Sequence, residues 1–211
     1  KEINMSFTVK RLLTILLILI CTYSHAEDWP MYMRDASRSG NTSAEISSQL
    51  YLQWEYSPRN LPAPAWPAPA KTDYWHREAD LKPRVIYDKA NQTVTVGENI
   101  YFGSSADDKV YCLDTKTGKE KWTFFTGGPV RLAPSVYKGL IYFGSDDGCV
   151  YCIDAESGEL KWKKDPTEKR LIPGNERMIS VSPVRTGILI YNGIAYFSAG
   201  IFPREGVTIY A

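Results

Sequence analysis

Few residues in this 211-residue chain carry chemistry at a spacing that would let them act together. Cys149 and Cys152 form a C-x-x-C, with Cys112 upstream. Side chains three positions apart on a strand point to opposite faces, so the pair is badly placed for a metal or a redox disulfide. The cysteines read as small apolar residues packed between sheets. Beyond Cys21 there are three of them, an odd number, which in an oxidising compartment leaves one thiol free or bound to another chain. Beyond His25, His76 is the one histidine, with no cysteine cluster to make a zinc site with and no G-x-S-x-G elbow nearby. Asp107-Asp108 and Asp146-Asp147 are adjacent carboxylates, but both fall in hairpin turns and read as turn residues rather than metal ligands. No catalytic residue and no metal site is assigned.

The other candidates are cationic. The segment KKDPTEKRLIPGNERMISVSPVRTG, residues 163–187, is longer than the six-residue link that follows Phe124. It holds Arg170, Asn175, Glu176, Arg177 and Arg185, while Arg131 precedes a strand farther upstream. A second irregular stretch runs from Gly200 to Gly206 and holds Arg204. Long inserts at the ends of repeated units are where such folds place recognition. Arg131, Arg170, Asn175, Arg177 and Arg185 are therefore the expected lining of an anion or carbohydrate pocket, with solvated loop charges as the plainer alternative.

The elements that would hold these residues follow from self-comparison. Ile100 to Trp122 reads IYFGSSADDKVYCLDTKTGKEKW, and Ile141 to Trp162 reads IYFGSDDGCVYCIDAESGELKW. The offset is 40 between Asp114 and Asp154, Gly118 and Gly158, and Trp122 and Trp162. A third copy starts at Ile194 and runs to Ala211. Within the second copy, Pro134–Tyr137, Leu140–Gly144, Cys149–Asp154 and Glu159–Lys163 read as four short strands joined by turns rich in Gly and Asp. Four antiparallel strands at a period of about 40–45 residues make a propeller blade, so the fold class is all-β. Arg84–Asp88 and Thr93–Gly97 are strand candidates for the first full blade. Leu52–Tyr56 resembles a fourth strand without its other three. Ser57 to Lys71 is a Pro/Ala-rich extended loop. In each repeat Asp114, Thr117 and Gly118, or Asp154, Ser157 and Gly158, would build a turn, and Trp122 or Trp162 would pack as a flat plate between blades.

The ends and the composition bound the rest. Met5, Lys10-Arg11, the apolar run Leu12–Ile20 and Ser24-His25-Ala26 read as a secretory signal peptide over residues 1–26, too short to span a bilayer. No transmembrane segment is expected after its removal. Without Lys1, Lys10, Arg11 and Glu2 the remainder carries one net negative charge, which excludes a nucleic-acid binder. Hydrophobic residues make up 44%, which excludes a mostly disordered chain. Asn41 and Asn91 open glycosylation sequons. Residues 27–82 form an N-terminal segment and 83–211 about three blades, the third truncated. A ring needs at least four, so the chain is expected to be a piece of a longer polypeptide.

The repeated motif, Cys112-Leu-Asp114-x-x-Thr117-Gly118-x-x-x-Trp122 and its second copy Cys152 to Trp162, resembles the repeat of the pyrroloquinoline quinone (PQQ)-like β-propeller family, with Cys in the usual Ala position. Asp28-Trp29-Pro30-Met31-Tyr32-Met33-Arg34 resembles the opening segment of its exported members. The resemblance implies eight blades in complete members but not one function. The family includes quinoprotein alcohol dehydrogenases, which bind PQQ and calcium, and BamB-like outer-membrane assembly factors, which bind no quinone. It implies a vicinal cysteine pair for the dehydrogenases, and none occurs here. The expectation is thus an exported, periplasmic or envelope-associated scaffold with a protein or envelope partner and no cofactor. The alternative is a PQQ- and calcium-dependent alcohol or sugar dehydrogenase whose site lies in other blades.

Overall fold

The computed structural model describes residues 27–63, 78, 90–167, 170–174, 177–201 and 204–211. The signal-peptide reading, the strand expected at Arg84–Asp88, His76, Asn175 and Glu176 lie outside the described residues. Glu27 and Thr42–Ile46 belong to a small unit of their own, where the Glu27 carboxylate accepts hydrogen bonds from the Thr42 hydroxyl and, at 3.2 Å, the Ser43 N–H. Everything below concerns the second unit, Asp28–Asn41 with Ser47–Ala211.

The described part of this unit is all-β, with thirteen strands. The first sheet is a four-stranded meander of β1 (Thr93–Val96), β2 (Asn99–Ser104), β3 (Lys109–Asp114) and β4 (Glu120–Phe125). The second repeats it with β5 (Ser135–Tyr137), β6 (Leu140–Gly144), β7 (Val150–Asp154) and β8 (Leu160–Lys164). A two-stranded hairpin follows, β9 (Leu171–Gly174) and β10 (Arg177–Ser180). The third sheet has three strands, β11 (Leu189–Tyr191), β12 (Ile194–Ala199) and β13 (Thr208–Tyr210). These are antiparallel propeller blades. The first strands of successive blades, β1, β5 and β11, lie next to one another.

Strand bounds depart from the sequence reading for local reasons. β5 starts at Ser135 because Pro134 has no N–H to pair. β7 starts at Val150 because the Cys149 N–H is taken by Asp147 Oδ1 at 3.0 Å. β8 begins one residue late because a register shift falls between Cys152 and Ile153, and the same shift recurs between Cys112 and Leu113 in the first blade. The segment after Lys164, expected as irregular loop, contains the β9–β10 hairpin.

Alternation along the central strands β3 and β7 buries both faces of a sheet against neighbours. On β3, Val110 and Cys112 join the core shared with the second blade, while Tyr111 and Leu113 face Tyr56 on the other side. On β7, Tyr151 and Ile153 face the first blade and Val150 faces Val184 and Ile190 of the third. One aromatic pair recurs in every blade. Phe102 stacks on Tyr111 at 5.0 Å, Phe143 on Tyr151 at 5.3 Å and Phe197 on Tyr210 at 5.2 Å.

The interface between blades is built from an Asp turn and a tryptophan. Asp114 Oδ1 accepts the Thr117 N–H at 2.8 Å and its hydroxyl at 2.9 Å, and Asp154 Oδ1 accepts the Glu156 and Ser157 N–H groups, both at 3.0 Å. Gly118 and Gly158 close these turns at φ of 67° and 73°. A Cβ on Gly158 would lie 2.7 Å from the Trp122 ring, and one on Gly118 would lie 2.5 Å from Trp54. Each indole also donates to a carbonyl of the turn it covers, Trp122 Nε1 to Ala155 at 3.3 Å and Trp54 Nε1 to Thr115 at 2.9 Å. Two residues on, Phe124 and Tyr56 meet the next blade's stacked pair edge-on. Leu52–Tyr56 is not a strand among the described residues, yet Trp54 and Tyr56 occupy the seats that Trp122 and Phe124 occupy one blade later. Trp162 packs instead on Tyr142 of its own blade and is 37% exposed.

Replacing Trp122 with Ala should cost about 3–5 kcal/mol, as for large-to-small changes in a core. Trp162→Ala should cost distinctly less. Chemical denaturation of both variants checks this, and equal losses would show that the indole over Gly158 contributes nothing beyond its own sheet.

Candidate functional site

The charged residues gather where the β2–β3 and β6–β7 hairpin turns meet the connections between blades. Two arms shape the place. Pro129-Val130-Arg131 leads into β5 and Pro183-Val184-Arg185 leads into β11. The Val130 N–H donates to the Ser104 carbonyl at 3.2 Å and the Val184 N–H to the Ser145 carbonyl at 3.1 Å, so each arm crosses to the preceding blade. Gly103 and Gly144 let the arms in, since a Cβ at either would lie 2.3 Å from a Val130 or Val184 methyl.

Both arginines end on one carboxylate. Arg131 Nε meets Asp146 Oδ2 at 2.7 Å, and Arg185 grips Asp146 through Nε to Oδ1 at 2.6 Å and a terminal nitrogen to Oδ2 at 2.8 Å. Asp146 is 1% exposed. A carboxylate so buried is tolerable only when paired and hydrogen-bonded, and two guanidinium groups supply that. Its backbone is tied as well, the N–H to the Pro129 carbonyl and the carbonyl to the Ser180 N–H. Arg131 also donates to the Ala63 carbonyl at 2.9 Å, whose own N–H donates to Ser105 Oγ at the same distance. Nearby, Arg177 on β10 pairs with Asp108 at 2.6 Å. Burial pushes the Asp108 carboxyl above the ordinary aspartate range despite Arg177.

The other carboxylate of each turn, Asp147 or Asp107, is held by several donors. Asp147 accepts from the Tyr151 hydroxyl, from Lys163 at 3.2 Å and from the Cys149 and Gly127 N–H groups. Burial opposes its ionisation, but these donors outweigh it and hold the carboxyl below the usual range. Asp107 is held in the same direction, by Asn60, Ser104 and Tyr111 against burial. Burial pushes the Tyr151 phenol up to about 12. The cysteines are buried free thiols, and burial raises Cys112 to about 12 and Cys149 to about 11, the reverse of what a nucleophile needs. Cys149 joins the core shared by the first two blades, whereas Cys152 lies opposite Trp162.

The expected pocket of Arg131, Arg170, Asn175, Arg177 and Arg185 is thus not one constellation. Arg131 and Arg185 converge on Asp146, Arg177 goes to Asp108, Arg170 pairs with Glu205 at 2.8 Å, and Asn175 lies outside the described residues. Two of the aspartates expected as turn residues, Asp146 and Asp147, are in turns and are also buried counter-ions. One sequence signal pointed that way, the recurrence of Pro-Val-Arg at 129–131 and 183–185. A PQQ–calcium site needs open cations and a set of oxygen ligands. Here Arg131 and Arg185 are turned onto Asp146, the four turn aspartates are engaged by protein donors, and among the described residues no group of three or more His, Cys, Asp or Glu is placed to hold a metal ion. The described residues do not fit that group.

Two outcomes follow from this geometry. Asp146→Asn should leave Arg131 and Arg185 without their counter-charge and cost about 3–5 kcal/mol in a denaturant titration, as for breaking a buried ion pair from one side. A loss below about 1 kcal/mol would mean that water screens the cluster. Cys112, Cys149 and Cys152 should resist a thiol reagent in the native protein and react once it is unfolded, and rapid native labelling of Cys112 would contradict their placement.

No curated protein matches the sequence. Among solved structures, the chain is similar to a quinohemoprotein alcohol dehydrogenase from Comamonas testosteroni, with 18% identity and a TM-score of 0.56 over 87% of this chain and 25% of that one. It is similar to a europium-containing methanol dehydrogenase with 16% identity and a TM-score of 0.56, over 87% of this chain and 29% of that one. BamB from Moraxella catarrhalis matches 51% of this chain and 29% of its own, with 14% identity and a TM-score of 0.38. The chain spans under a third of the length of each of these three, and the likeness to the two dehydrogenases is one of fold. Residues 65–195, more than half of the sequence, match the family described as outer membrane protein assembly factor BamB, and the chain belongs to that family.

Proposed function

We propose that this protein is an exported, non-catalytic scaffold of the cell envelope, whose blades present a docking surface to a protein or other envelope partner. Residues 1–26 serve as its leader, 27–82 as an N-terminal segment and 83–211 as blades. The family description, an outer-membrane assembly factor, supports the compartment and the class of partner. Among the described residues no helix is long and apolar enough to cross a membrane. In this reading Asp114, Thr117, Gly118 and Trp122, with Asp154, Ser157 and Gly158, hold blades together and carry no chemistry, and Trp162, expected as a plate between blades, lies on Tyr142 of its own blade instead.

The observation that carries the reading is the pairing of Arg131 and Arg185 with buried Asp146. These arginines, the strongest anion-binding candidates, are engaged in joining blades, and freeing them for a tricarboxylate would strand a carboxylate that is 1% exposed. The fold shared with dehydrogenases brings no cofactor with it. The test is titration of the mature protein with PQQ and calcium, followed by quinone absorbance or heat. The expected outcome is no saturable binding. Saturation in the micromolar range would replace the scaffold with the quinoprotein reading.

A further inference from the structure

The two Pro-Val-Arg arms cross matching hairpin turns, Gly103-Ser104-Ser105 in the first blade and Gly144-Ser145-Asp146 in the second. In the second blade the residue after the shared serine is Asp146, and Arg185 of the crossing arm closes on it. In the first blade that residue is Ser105, which offers Arg131 no charge. A piece of main chain fills the place instead. The Ala63 carbonyl accepts from a terminal nitrogen of Arg131 at 2.9 Å, and the Ala63 N–H donates to Ser105 Oγ at 2.9 Å. The peptide groups on both sides of one residue are thus held by two side chains, and both are built into the blades, Ser105 being 4% exposed and the Arg131 side chain 6%. Asp107, in the same turn, accepts from Asn60 Nδ2 at 2.6 Å. Leu61, the large apolar side chain between them, is 81% exposed, and residues 61–63 belong to no strand, so these polar contacts do most of the holding.

We propose that Ser105, Asp107 and Arg131 form a docking site for a proline-flanked peptide segment, filled in this chain by its own residues 60–63 and open, in exchange, to a like segment of a protein partner. The chemistry of the site selects that class. The sequence there is Asn60-Leu61-Pro62-Ala63-Pro64, in which the two prolines leave Ala63 the single N–H across residues 62–64. Proline after Ala63 biases it to an extended backbone, so a segment of this kind loses little freedom when it is held. The site takes the N–H and the carbonyl of the middle residue, whose side chain is only a methyl, and the amide of the asparagine three residues before it. A proline in the middle position has no N–H to give Ser105 and is refused. The ligand groups are neutral amides, and Arg131 Nε stays on Asp146 while its terminal nitrogen holds the carbonyl, so occupancy leaves the joint between the blades intact. This deepens the scaffold reading by naming the chemistry of a partner and rests on it only for there being one. Titration with PQQ tests the scaffold reading and does not bear on this site.

The mature chain is titrated with a peptide of the sequence of residues 57–65, SPRNLPAPA, labelled at its N-terminus and read by fluorescence anisotropy. In the wild type the tethered segment competes at an effective concentration on the order of 1 mM, so the peptide should bind weakly. Ala63→Pro removes the N–H that Ser105 accepts, and this variant should bind the peptide about ten-fold tighter than the wild type. Adding Ser105→Ala should abolish the gain, and the peptide SPRNLPPPA should bind neither protein. A second measurement needs no variant. Hydrogen exchange at the Ala63 amide of the wild type should be slower than its intrinsic rate and should quicken about two-fold when the unlabelled peptide is added at about 1 mM. The proposal is overturned if folded Ala63→Pro binds the peptide no better than the wild type, if the gain survives Ser105→Ala, or if SPRNLPPPA binds equally well. An Ala63 amide that exchanges at its intrinsic rate, or that does not respond to the peptide, overturns it as well.

Discussion

A four-stranded blade has two apolar faces and cannot cover either by itself. Every recurrent feature of this chain answers that constraint. The indole of Trp122 lies on the bare backbone of Gly158, donates to Ala155 and carries Phe124 into the edge of the Phe143–Tyr151 stack. Trp54 and Tyr56 repeat the set one blade earlier, from a segment that is not a strand among the described residues. Dispersion and apolar burial supply most of the attraction, and the glycine sets how closely the plate can approach. Lys164 stands where an aromatic would follow Trp162, so the junction to the third blade is made differently.

At that junction charge takes over part of the task. The Pro-Val-Arg arms thread beside Gly103 and Gly144, and their arginines close on Asp146 from two blades. A buried carboxylate shared by two guanidinium groups contributes little net stability against an apolar alternative, but it penalises any other arrangement of the three elements. The cost of leaving one member unpaired is what makes it a joint. It also explains why arginines on this face do not amount to an open anion pocket.

The first two blades were legible because their information is local and repeated. The offset of 40 between Asp114, Gly118 and Trp122 and their second copies identifies turn, glycine and plate together. The β9–β10 hairpin was not legible. Pro173, Gly174 and the charges around them break the alternation that marks a strand, and the hairpin is tied to the previous blade through Ser180, whose N–H donates to the Asp146 carbonyl. The partners of the arginines were hidden for another reason. Arg131, Arg185 and Arg177 find their aspartates at separations of 15, 39 and 69 residues, which no pattern along the chain records. Asp-Asp in a hairpin reads as a turn, and its packing buries Asp146.

The most direct measurement of this account is a double-mutant cycle on Asp146 with Arg131 and another with Arg185, using Asn for the acid and Gln for each base and reading unfolding free energies. If the arginines are engaged inside the fold, each pair should show a coupling above about 1 kcal/mol, well outside the additivity expected of independent sites. Additive losses, within about 0.3–0.5 kcal/mol for both pairs, would mean that Asp146 holds neither arginine and that both are available to a ligand.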